Sequence, residues 1–136
     1  MEYNNCSNIF QGDLNTLARS FRKSGNPEDI ELAEELEETA SDLDEAQEMI
    51  PADATPDSTE MEAVNQSLRK KGLLNRLEDF YDELCDENSK MHKRATNIRN
   101  GIKMIQKVGT HYNDIAKWFC LPQIPQVLLG EFGKKE

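Results

Sequence analysis

Two histidines, three cysteines and a dense run of carboxylates are the residues through which this chain could do chemistry. A helical bundle loads two metal ions through Glu-x-x-His pairs, which set a carboxylate and an imidazole one turn apart on an inward face. Neither His92 nor His111 has a glutamate three residues before it. The glutamates concentrate between residues 28 and 48, mainly off the apolar stripe of that segment, and so point outward. No metal centre and no cofactor are expected. Cys85, Asp86 and His92 are near enough in sequence to suggest a thiol nucleophile with its base. Cys85 follows Leu84 on an apolar edge, however, which is the setting of a buried structural thiol. Cys6, Cys85 and Cys120 are widely spaced, odd in number and without a CxxC pair, so reduced thiols are expected. His111 and Asp114 stand one helical turn apart, which suits a surface hydrogen bond at least as well as an acid-base pair. There is no GxxxxGK or GxGxxG motif, and neither Arg94 nor Arg99 joins a compact Arg-x-His arrangement. The expectation is a protein without catalytic activity.

Charge is the more informative feature. The net charge of −10 opposes direct association with nucleic acid or an anionic membrane. From Ser24 through Leu68 there are fifteen acidic residues and no lysine or arginine, whereas Arg69 through Lys107 carries ten basic and six acidic residues. That asymmetry suggests an acidic second helix packed beside a basic helix around residues 90–107. The acidity left over is either a solvated face or a face that recruits a basic partner, with Glu34, Glu38 and Glu45 as its candidate contacts.

The elements that must position these groups are helices. Positions at alternating steps of three and four run from Leu74 through Leu77, Tyr81, Leu84, Asn88, Met91, Ala95, Ile98, Ile102, Ile105, Gly109, Tyr112 and Ala116 to Phe119, apolar except at Asn88 and Gly109. Unbroken, that stretch would be roughly 69 Å long at 1.5 Å per residue, so a break is expected near Asn88, near Gly109, or at both. Upstream, Leu14, Leu17, Ala18 and Phe21 form a helix that should end at about Ser24. Asn26-Pro27-Glu28-Asp29 then starts a second helix, whose stripe runs from Ala33 to Ile50 before Pro51. Thr55-Pro56, or Asp57 with Glu60, supplies the next start, and Gly72 marks a kink. Asn88 or Ser89 can cap a helix after a turn, and Lys107 to Thr110 reads as a helix end with a short helix at 111–119 beyond it. Pro122 and Pro125 hold an extended segment before Val127, Leu128 and Leu129.

These patterns predict an all-α, compact bundle of four to six helices, with long antiparallel amphipathic helices and a proline-containing tail. The 136 residues fit one domain, with an acidic half at 1–58, a helical core at 59–121 and a tail at 122–136. No window is apolar enough to span a bilayer and the N-terminus lacks the pattern of a signal peptide, so a cytoplasmic protein is expected.

The segment holding Tyr112, Trp118, Phe119 and Ile124 concentrates aromatic residues near the chain end. It is either a core plug or an interface hot spot. The expected function is therefore a noncatalytic adaptor or regulatory module that binds another protein through its acidic helix and this aromatic segment. Self-association along the long apolar face is a further expectation. The first rival is an acidic inhibitor or antitoxin-like protein that masks a partner's basic nucleic-acid-binding surface. The second is a small helical enzyme with an unrecognised site.

Overall fold

Helix starts follow the caps written into the chain. Asn26 Oδ1 accepts the Glu28 amide at 2.8 Å, with Pro27 in the first turn and Glu28 and Asp29 at the positive end of the dipole. Ser89 accepts from the His92 amide. Ser58, rather than Asp57 or Thr55, accepts from the Met61 amide and caps the helix that follows the proline-rich loop. Gly72, at φ 89°, turns the chain between two helices, a left-handed conformation that favours glycine.

The computed structural model describes residues 2–132, and these hold seven α-helices: α1 (Tyr3–Lys23), α2 (Pro27–Ala46), α3 (Thr59–Lys70), α4 (Leu73–Cys85), α5 (Lys90–Asn97), α6 (Gly101–Trp118) and α7 (Gln126–Glu131). A 3-10 turn at Gln47–Met49 prolongs α2. The all-helical class is as expected, but seven helices exceed the four to six read from the apolar pattern. The helix beyond six is α7, formed by a tail expected to be extended. Gly109, expected to end a helix, lies inside α6. A Cβ at Gly109 would press on Leu129 Cδ2, so the glycine leaves room for the tail rather than ending the helix. The real break comes earlier, where Ile98 is extended and Asn100 takes φ 60°.

Helix α1 is the spine. It lies along α2 on one side and α6 on the other, and Phe10, Leu14, Leu17, Ala18 and Phe21 are fully buried between them. Burying side chains of this size contributes roughly 1.5–3 kcal/mol each for the large ones. Phe10, Phe80 and Tyr112 meet in an aromatic cluster, and Tyr3 stands edge-on to Trp118 and Phe119 at 5.7 Å from each. The long apolar stripe is spent inside the chain: Leu77, Leu84, Met91, Ala95, Ile105, Tyr112, Ala116 and Phe119 are all buried. Tyr81, Ile98 and Ile102 of the same stripe are half-buried. The acidic α2 does not lie along the basic segment as its charge suggested; α1 is its main neighbour, and single arginines from α1, α4 and α5 reach it.

The tail folds back over α6. Asn113 grips Ile124 by both backbone groups, accepting its N–H at 2.6 Å and donating to its carbonyl at 3.0 Å. Gln106 donates to the Leu129 carbonyl, and Phe132 packs edge-on against the His92 ring.

Candidate docking surface on the second helix

Helix α2 buries Leu32, Ala33, Leu36, Ala40, Leu43 and Ala46 on one side, and the same periodicity turns Glu28, Glu31, Glu34, Glu35, Glu38, Asp44 and Glu45 to solvent. Four of its carboxylates are neutralised within the fold. Arg94 from α5 meets Asp29 at 2.6 Å, Arg22 from α1 meets Glu37 at 2.6 Å, and Arg76 from α4 bridges Glu38 at 3.2 Å and Asp42 at 2.8 Å. The hydrogen bond from Arg94 holds the Asp29 carboxyl below the usual carboxylate range, and Arg22 does the same for Glu37. Glu28, Glu31, Glu34, Glu35, Asp44 and Glu45 form no ion pair among the described residues.

Between α2 and α4 this surface opens into a groove of 360 Å³. Leu32, Leu36, Phe80 and Met91 line it with apolar surface; Glu35, Glu38 and Thr39 rise from α2, and Arg76, Asp79 and Glu83 from α4. Burial, reinforced by the facing charges of Glu35 and Asp79, pushes the Glu83 carboxyl above its ordinary value. Arg76, the groove's own cation, is held at one end by Glu38 and Asp42.

The seven residues proposed from sequence divide cleanly. Glu34 and Glu45 stand exposed on the outer face, and Glu38 is exposed but tied to Arg76. Tyr112, Trp118, Phe119 and Ile124 are buried, at 0%, 5%, 2% and 2% exposure, so a partner-contact role for these four is corrected to a core role. The Asn113 clamp covers Ile124, Phe10, Phe80 and Tyr81 pack around Tyr112, and Tyr3 of α1 packs on Trp118 and Phe119. Asp79, Glu83 and Glu35 were not singled out from sequence, although Asp79 and Glu83 stand at i, i+4 on one edge of α4.

The other chemistry-bearing residues make their contacts within the fold. His92 donates from Nδ1 to the Leu84 carbonyl at 2.8 Å and packs on Phe132, joining α4, α5 and the tail. His111 pairs not with Asp114 but with Asp13 of α1, with Lys107 Nζ 3.9 Å from the same carboxylate. No described hydroxyl or thiol is hydrogen-bonded to His111. Burial and the nearby Asp82 push the Cys85 thiol up to about 11, the opposite of an activated nucleophile. Among the described residues no three His, Cys, Asp or Glu side chains converge closely enough to hold one metal ion, and no helix is long and apolar enough to cross a membrane.

The chain matches no protein-family model, no curated protein and no solved structure.

Proposed function

We propose that this protein is a noncatalytic binding module, an adaptor or regulator that recruits a partner with a basic surface through the outer face of α2. The supporting observation is the set of six carboxylates, Glu28, Glu31, Glu34, Glu35, Asp44 and Glu45, that no cation of the fold pairs among the described residues. Each exposed ion pair made with a partner would contribute roughly 0–1 kcal/mol. The rim charges therefore steer and select more than they hold, and an apolar anchor must supply the rest of the affinity. The expected site of action is the cytoplasm.

The test is capture of binding proteins from the native cell on wild-type protein and on a Glu34→Lys, Glu45→Lys double variant. These positions are preferable to Glu38, whose reversal would also break the Arg76 bridge. A partner retained by the wild type and lost by the variant supports the reading. A partner held equally by both, at low and high salt alike, refutes it.

One observation favours a second reading. Helix α2 carries ten acidic residues over twenty positions. At about 1.5 Å per residue the six that pair with no cation among the described residues stand one per roughly 5 Å, a run of negative charge of the same order as the roughly 3.4 Å per phosphate along one strand of a duplex. An acidic inhibitor that covers a nucleic-acid-binding groove would use this match. Competition between DNA or RNA and this protein for the captured partner separates the two.

A further inference from the structure

We infer that the groove between α2 and α4 is the anchor of this docking surface, and that it takes a cationic amphipathic helix: one apolar side chain on Leu36 and Phe80, and a flanking lysine or arginine between Glu35, Asp79 and Glu83. The inference rests on the proposed function and assigns it a location and a partner chemistry. Three features carry it.

The floor is apolar while the walls are acidic, a combination that fits an apolar side chain beside a long basic one, whose methylene stem lies on apolar surface as its head meets carboxylates. Those carboxylates have no cation of their own. Glu35, Asp79 and Glu83 form no ion pair among the described residues, and Arg76 is engaged by Glu38 and Asp42. Nor do they converge on one point as metal ligands would, since no metal-holding group of three is present among the described residues. The missing charge is spread along a groove, as on a side chain.

The walls also select the shape of the occupant. Both are helices, so neither offers the unpaired backbone edge that an extended peptide would join. Helix-in-groove recognition remains, with anchors at three- and four-residue spacing. The volume of 360 Å³ lies near the lower end of ligand pockets, roughly 300–1,000 Å³, which suits one or two side chains rather than a whole partner element.

The experiment uses the full chain and three dye-labelled synthetic peptides followed by fluorescence polarisation: a leucine-lysine amphipathic helix, the same helix with lysine replaced by glutamine, and an oligolysine of equal charge. The first should bind at least about tenfold more tightly than the other two. A Glu35→Gln, Glu83→Gln variant should weaken it about tenfold, while Glu34→Gln, Glu45→Gln, which removes the same charge outside the groove, should weaken it about twofold. Circular dichroism confirms that both variants are folded. Equal loss in the two variants, or equal affinity for oligolysine, overturns the groove while leaving a diffuse acidic surface. Tight binding of the glutamine peptide overturns the cationic partner. No binding of either lysine peptide to the wild type, at low salt, overturns the groove, and the capture experiment on the Glu34→Lys, Glu45→Lys variant then decides the proposed function separately.

Discussion

Replacing Asn113 by leucine tests whether the aromatic C-terminal segment is part of the core. Asn113 is 7% exposed, and its amide satisfies both backbone groups of Ile124, itself 2% exposed. Leucine of similar size leaves that N–H and C=O buried without partners, at about 1–3 kcal/mol each, or about 2–6 in all. The tail could escape this cost by letting go. Release would forfeit the burial of Ile124, Leu129 and Phe132, all under 5% exposed, at about 1.5–3 kcal/mol per side chain, or about 5–9 in total. Staying docked is the cheaper course, so a stability loss of about 3 kcal/mol is expected, with a fall in Tm of roughly 10 °C. Urea unfolding followed by Trp118 fluorescence measures the loss, and hydrogen exchange at the Ile124 amide should accelerate in the variant while the tail remains folded. A loss below about 0.5 kcal/mol, or loop-like exchange at Ile124 in the wild type, would refute the clamp.

Glu83→Gln should raise Tm at neutral pH, because the raised pKa of Glu83 means that its charged form is disfavoured by folding. The difference should shrink as acid protonates Glu83 in the wild type; a variant less stable than wild type at neutral pH would show that the carboxylate is paired. Asp29 carries the opposite sign. Its folded pKa is depressed below the ordinary 3.8, so its contribution is present above that value and disappears as the pH falls through the lowered one. Asp29→Asn should flatten this acid limb in thermal melts, and an unchanged limb would assign the acid sensitivity elsewhere. Thiol labelling under native conditions should modify exposed Cys120 first, with Cys85 slow and buried Cys6 slower. Rapid modification of Cys85 would contradict its raised pKa.

Local signals in the sequence proved sound where the physics is local. Asn26-Pro27, the break at Gly72 and the turn before Ser89 are settled within a few residues, and each lies where its pattern placed it. The glutamate stripe of α2 was legible for the same reason, since its inner and outer sides follow from helical periodicity. Residues whose roles depend on distant partners were misread. Gly109 looked like a helix end because the methyl group of Leu129, twenty positions later, cannot be seen from its neighbours. His111 lay one turn from Asp114, yet its partner is Asp13, ninety-eight positions away. The groove has the same origin: Glu35 faces Asp79 and Glu83 only after α4 has been laid beside α2. Trp118 and Phe119 carried the composition of an interface, and only the packing of α1 on α6 shows that they meet Tyr3 instead.

Hydrogen exchange on the wild-type protein, alone and with its captured basic partner, tests the central claim most directly. Protection is expected along the exposed side of α2 and across the facing edge of α4, from Arg76 to Glu83, and it should fade as salt is raised. Protection confined to α6 and α7, with α2 exchanging as it does in the free protein, would contradict a docking role for the acidic helix.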